Sequence, residues 1–269
     1  MEGAGNDYVV VDGIEHSIDE YTAPALAKQL SDRHRGVGAD GLIILAASAR
    51  ADCRMLMWNA DGSRGRMCGN GVRCVGKLAY DRGHVSSKTM TVECDSGIRD
   101  VELMLDERGE VTGARVDMGD VQVEQNPSAV ELAGRAWTYH RGDAGNPHAV
   151  VFCEHGIDDI PVAEVGAAFQ GLPEFPDGVN VEFVHRTDDG GLAQRTYERG
   201  SAETMACGSG AAVAALAATV TGRLPGPEVS VQLRGGTLVI TRDGSRLVMQ
   251  GPARTVFSGE VSLSAEPRH

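Results

Sequence analysis

Short apolar runs separated by glycine turns divide the chain into strands, and two longer runs of small apolar residues stand out as helices. The first stretch reads as a strand (YVVVDG), a helix (APALAKQLSDRH) and two strands (GLIILAA, CRMLMWN). The run MCGNGVRCVGKLAYDRG and three β-rich segments (TMTVEC, IRDVELMLD, GARVDMG) follow. The later stretch follows the same plan: HAVVF, a helical VAEVGAAFQ, NVEFVHR and AQRTYER, then MACGSGAAVAALAATVTG. After it come VSVQL, GTLVITR and SRLVMQG, with turns at Gly235-Gly236 and Asp243-Gly244. The expected fold class is α/β (α+β). It would have two pseudo-symmetric domains, each a mostly antiparallel sheet wrapped around a central helix, with a site in the cleft between them.

The repetition is in register. Cys207 follows Cys68 by 139 positions, each cysteine opening a Cys-Gly-x-Gly turn. Asn6 lies 62 residues before Cys68 and Asn146 lies 61 before Cys207. Asp40 and Asn180 precede their cysteines by 28 and 27, and Asn59 and Glu198 precede theirs by nine. Four landmarks within one residue of register indicate two copies of one unit. The join is expected in the stretch 118–135, which is polar and weakly periodic, giving units 1–117 and 118–269. The last dozen or so residues are expected to pack back on the first unit.

Composition narrows the function. With 269 residues there is room for two cores, and a formal charge of −13 leaves no basic stripe for nucleic acid or an anionic membrane surface. No apolar run approaches a membrane span, and the N-terminus enters a strand rather than a signal peptide, so a cytoplasmic location is expected. The six cysteines lack the spacing of a disulfide scaffold and are expected to be reduced. Zinc on Cys68, Cys74 and a histidine fits poorly without CxxC or HxxxH spacing, and no metal is expected.

Gly208-Ser209-Gly210 would form the first turn of an Ala-rich helix. The unpaired N–H groups and the helix dipole at that turn can bind an anion and should lower the pKa of a thiol at Cys207. The same holds for Gly69, Asn70 and Cys68. If the two units face each other, both helix mouths can hold one carboxylate, with a thiol on either side. That geometry suits inversion at a carbon next to a carboxylate: one thiolate removes the α-proton while the opposite thiol protonates the other face. No cofactor is then required, and there is no Rossmann fingerprint, P-loop or lysine placed for pyridoxal phosphate.

The motifs GAGNDYVVVD, DRHRGVGADG, NADGSRGRMCGNGVRC, GNPHAVVF, GVNVEF and YERGSAETMACGSGA cover nearly the whole chain. In content and order they resemble those of the diaminopimelate epimerases. The resemblance implies interconversion of LL- and meso-diaminopimelate without pyridoxal phosphate, in lysine and peptidoglycan precursor synthesis, by a homodimer of two-domain subunits. It implies Cys68 and Cys207 as bases, and the amides of Gly69, Asn70, Gly208 and Ser209 on the reacting carboxylate. Glu198 and Asn6 would lie near the reacting amine, His148 close to the centre, and Asn59, Asn146, Asn180 and Arg199 at the distal amino-acid end. A guanidinium at Arg199 suits a second carboxylate. Taken singly, the asparagines beside glycine also read as turn formers and Glu198-Arg199 as a surface strand pair. The chain departs from the family in starting at Met1-Glu2-Gly3, where members carry a preceding strand, and in Glu2, where histidine is common. Gly41 stands where some members carry glutamine and is assigned no contact. The alternative reading is a racemase of another amino acid, such as histidine, on the same scaffold.

Overall fold

The computed structural model describes residues 1–244 and 246–262. The first unit runs β1 (Glu2–Gly3), β2 (Asn6–Asp12), α1 (Ala23–Ser31), β3 (Gly41–Ala46), β4 (Cys53–Asn59), β5 (Arg64–Gly65), α2 (Gly69–Asp81), β6 (Thr89–Cys94), β7 (Gly97–Leu105) and β8 (Val111–Asp117). Then come β9 (Gln122–Val123), β10 (Ser128–Leu132), β11 (Arg135–Asp143) and β12 (Pro147–Phe152). The chain continues through α3 (Val162–Phe169), β13 (Asn180–Arg186), β14 (Leu192–Glu198), β15 (Ala202–Thr204), α4 (Gly208–Val220), β16 (Glu228–Leu233), β17 (Gly236–Asp243) and β18 (Arg246–Pro252).

The strand pairing repeats as the sequence does. In the first unit β2 runs parallel to β3, β3 antiparallel to β4, β4 parallel to β6, and β6, β7 and β8 follow antiparallel. The second unit gives the same order with β12, β13, β14, β16, β17 and β18. The equivalent last strands then pair with each other: β18 lies antiparallel to β8, with Met249 opposite Val116. Antiparallel pairing of two equivalent strands is what a twofold relation between the units produces. The N-terminal end is tied in as well, because Glu2 pairs with Asp7 and bridges Arg254 beyond β18.

Two layers of helix pack on this sheet. The apolar faces of α1 and α3 cover the outer surface of each unit, Ala27 and Leu30 against Leu42 and Trp58, Val165 and Phe169 against Val181 and Phe183. The helices α2 and α4 lie inside and share one core, in which Val72 and Val75 join Ala211, Ala214, Ala215 and Met249. Alanine on α4 is what allows this, since small side chains let a fully enclosed helix approach the sheet on every side. Weak periodicity hid the strands of the joining stretch. The segment 118–135 holds β9 and β10, and β10 forms a hairpin with β11. Residues 258–262 are exposed, and the remainder of the expected C-terminal packing segment lies outside the described residues. No helix among the described residues is long and apolar enough to cross a membrane.

Candidate active site

Cys68 and Cys207 occupy the same place in their units. Each is the extended N-cap residue of its inner helix, with φ −140° and −115°. The two helix mouths meet on either side of one methionine: a Cβ at Gly69 would overlap the Met249 methyl, and one at Gly208 would come 2.9 Å from its sulfur. Only glycine leaves room for the mouths to approach this closely. Free helix N–H groups of Gly69, Asn70, Gly208 and Ser209 are therefore gathered beside two thiols.

Around Cys68 the partners are hydroxyl and amide groups. Tyr8 Oη lies 3.0 Å from Sγ, and the thiol donates toward Asn6 Oδ1 at 3.5 Å. Asn6 Oδ1 also accepts from Tyr8 Oη at 2.7 Å and from Asn70 Nδ2 at 3.2 Å. Its Nδ2 donates to Asp40 Oδ2 at 2.6 Å, and Asp40 and Asp7 are clamped in turn by Arg33. Asn70 is held from the other side by Arg73 Nη2 at 2.8 Å. Arg73 is 0% exposed, and its Nε donates to the Pro252 carbonyl.

Around Cys207 the surroundings are carboxylates. Sγ accepts from the Gly210 amide at 3.4 Å, faces Ser209 Oγ at 3.5 Å, and lies 3.9 Å from Asn180 Nδ2. Burial holds the Glu198 carboxyl above the usual carboxylate range, the Thr204 hydroxyl and the Cys207 S–H steady its ionised form, and its charge adds to the burial that pushes both thiols up. Its Oε1 accepts from Thr204 at 2.5 Å. His148 and Glu182 are 0% exposed and joined at 2.9 Å, while His148 Nε2 meets Asn146 Oδ1 at 3.3 Å. Glu182 Oε2 is buried with no hydrogen-bond partner among the described residues.

One expectation is overturned. Burial outweighs the helix termini and pushes both thiols up, and the Tyr8 hydroxyl and the Gly71 and Asn70 amides bring Cys68 only part of the way back. Cys207 stands higher still, because Glu198 and Glu182 add to the burial. Burial lifts Cys53, Cys74 and Cys94 to about 12 and Cys153 to about 11, which leaves them inert core thiols near neutral pH.

Of the distal candidates, Asn180 is buried and its Oδ1 accepts from the Arg199 amide at 2.9 Å, so those two act together. The exposed Arg199 guanidinium donates to the Asp177 carbonyl at 3.0 Å. Asn59 bonds within its own turn, donating to Ser63 Oγ at 2.9 Å. Asp12, Glu15 and His84 gather ligand atoms within 4.8 Å, but Asp12 Oδ2 and His84 Nε2 already pair at 2.7 Å, tying β2 to the residues that follow α2. The pattern alone missed Tyr8, Arg73, Glu182 and Met249. Two of them carried a signal: Tyr8 and His148 stand 140 positions apart in the repeat, and Glu182 interrupts a buried apolar strand.

Comparison with known proteins shows the family. The family described as diaminopimelate epimerase matches residues 1–124 and 142–256. A diaminopimelate epimerase of Desulfovibrio desulfuricans is 41% identical over 97% of this chain and 96% of its own. One of Leptospira biflexa is 39% identical over 98% of both chains. A hydroxyproline epimerase from Agrobacterium vitis shares the fold with a TM-score of 0.68 at 17% identity, covering 87% of this chain and 78% of its own. A PhzF-family phenazine biosynthesis protein of Bacillus anthracis does so at 0.68 and 19%, over 94% and 93%. Sequence identity and coverage at this level place the chain, an isomerase, in the diaminopimelate epimerase family.

Proposed function

We propose that this chain interconverts LL- and meso-diaminopimelate with Cys68 and Cys207 as the two bases. The observation that carries the reading is the meeting of two Cys-capped helix mouths across Met249, with the charge of Glu198 acting on both thiols. The amides of Gly69, Asn70, Gly208 and Ser209 would hold the reacting carboxylate, where negative charge develops as the α-proton leaves. One thiolate removes that proton and the opposite S–H supplies another to the far face, so each turnover leaves the two cysteines with exchanged protonation states, the form set for the reverse reaction, until proton exchange with solvent resets them. Glu198 and Asn6 would face the reacting ammonium, whose positive charge offsets the Glu198 carboxylate that, after burial, helps to hold both thiols up. His148 would stand behind them, locked by Glu182. Asn59, Asn146, Asn180 and Arg199 would take the distal amino-acid end, the exposed Arg199 guanidinium meeting its carboxylate.

A small-molecule substrate is what the family acts on, and the reaction belongs to lysine biosynthesis. A cytoplasmic homodimer is our reading from the resemblance. Racemisation of histidine or another amino acid is not favoured, since the relatives at about 40% identity across the chain are diaminopimelate epimerases. The test is proton NMR of reduced protein with LL-diaminopimelate in deuterated water. The expected result is loss of the α-proton signal with appearance of the meso isomer. Washout from another amino acid instead would keep the mechanism and reject the substrate.

A further inference from the structure

In the twofold arrangement Tyr8 and His148 are counterparts, each beside the asparagine that precedes it by two positions: Tyr8 Oη meets Asn6 Oδ1 and His148 Nε2 meets Asn146 Oδ1. Beyond that the two diverge. His148 Nδ1 meets Glu182 Oε1 at 2.9 Å, whereas Tyr8 Oη also touches Cys68 Sγ at 3.0 Å. We propose that the Tyr8 hydroxyl is the hydrogen-bond donor that holds the Cys68 thiolate, making Cys68 the first of the two thiols to ionise.

The hydrogen bonds around Asn6 show how the donor is released. With Cys68 protonated, three donors converge on Asn6 Oδ1: Tyr8 Oη, Asn70 Nδ2 and the Cys68 thiol. A carbonyl oxygen has two lone pairs, so this acceptor is oversubscribed. The amide cannot turn away, because Asp40 holds its Nδ2 at 2.6 Å. When Cys68 loses its proton, the S–H leaves this set and a strong acceptor appears 3.0 Å from Tyr8 Oη. Rotation about the phenol C–O bond then moves the Tyr8 hydrogen from Asn6 Oδ1 to Sγ, and Asn70 keeps its bond to Asn6. No other atom has to move. Tyr8 is suited to stay a donor throughout: burial, and then the neighbouring Cys68 charge, hold its phenol well above the usual tyrosine range.

The charges facing each sulfur point the same way. Cys68 faces Tyr8 from β2, Arg73 and Cys74 from α2, Cys94 from β6 and Glu198 from β14, a set that includes one guanidinium. Cys207 faces Glu198 from β14 and Glu182 from β13, with Ser209 as its nearest hydroxyl at 3.5 Å.

This inference rests on the two thiols being the bases, but its test does not need turnover. In the full-length, reduced Cys207→Ala protein, the rate of Cys68 alkylation by iodoacetamide is followed against pH by peptide mass spectrometry; Cys207 is followed in Cys68→Ala. Cys68 should ionise at lower pH than Cys207. Adding Tyr8→Phe should raise the Cys68 midpoint by about one pH unit, slowing its alkylation about tenfold below the midpoint, and leave Cys207 where it was. A Cys68 midpoint that Tyr8→Phe leaves unmoved, or a Cys207 midpoint that moves equally, overturns the proposal. So does the reverse order of ionisation in the two parent proteins, a comparison that stands even where Tyr8→Phe does not fold. In Tyr8→Phe with both thiols intact, the acidic limb of kcat/KM should move up in both directions together, since both draw on the same singly ionised pair. Alkylation as expected without any epimerisation would refute the proposed function and leave the role of Tyr8 standing.

Discussion

The two helix mouths have the same backbone and opposite electrostatics. At Cys68 a phenol lies 3.0 Å from the sulfur, and a buried arginine holds the neighbouring Asn70. At Cys207 two carboxylates face the sulfur, one fully buried. Repetition therefore supplies the geometry that the proposed two-faced proton transfer needs, while divergence of a few side chains makes the two thiols unequal. An unequal pair has a use. A reaction that needs one thiol and one thiolate is best served when the first proton leaves mainly from one sulfur and the second is held on the other.

The largest expected effect treats the halves alike. Cys68→Ala and Cys207→Ala should each lower epimerisation by about a thousandfold or more, since each removes a group that transfers a proton in the turnover. Coupled assay of meso-diaminopimelate formation would read this, and appreciable turnover in either variant would show that one base suffices.

A second comparison concerns the third helical position. Gly71 and Gly210 are counterparts, but their surroundings differ. A Cβ at Gly71 would lie 2.7 Å from Ile43 Cδ1, the free end of an apolar side chain. At Gly210 it would overlap the Glu182 carboxylate, which His148 locks in place without solvent contact. Gly210→Ala should thus cost about 1–3 kcal/mol of unfolding free energy, as overpacked sites do, and Gly71→Ala distinctly less. Urea denaturation of both would decide it, and equal losses would mean that Glu182 is not locked.

Glu182→Gln separates charge from packing at the same place. Its carboxylate is the second charge, after that of Glu198, that holds the Cys207 thiol up. Removing it should increase Cys207 alkylation at mildly alkaline pH several-fold, by an amount of order one unit or less in the midpoint, and leave Cys68 unchanged. An unmoved Cys207 would assign its resistance to burial and to Glu198.

How far the sequence revealed this arrangement depends on what each residue answers to. The repeat and the helix N-caps were legible because Cys-Gly-x-Gly followed by small apolar residues occurs twice at one spacing, and spacing survives folding. The order of strands followed from alternation. What stayed hidden depends on a third dimension: Tyr8 reads as one more aromatic in a strand, and Arg73 as a polar residue on an amphipathic helix, until topology places one against Cys68 and buries the other behind it. The thiol acidities were misjudged for the same reason. A helix terminus is visible in the sequence, whereas the burial that outweighs it is not.

The smallest effect makes the halves more alike. Asp40 and Asn180 are counterparts, and Asp40→Asn places the second unit's residue in the first. Asp40 orients Asn6 and shares Arg33 with Asp7, but Arg33 is more than half exposed, so the ion pairs lost are worth under about 1 kcal/mol. Loss of the charge also relieves its repulsion with Asp7, one of the causes that raise Asp40 above the usual carboxylate range, after burial. Global stability should therefore hardly change. The effect should appear instead in Asn6, whose amide is freed to flip and present Nδ2 to Tyr8. A flipped amide would no longer accept from Tyr8 and Asn70, and KM for diaminopimelate should rise a few-fold with kcat little altered. A fall in kcat at constant KM would instead place Asp40 in the proton transfer itself.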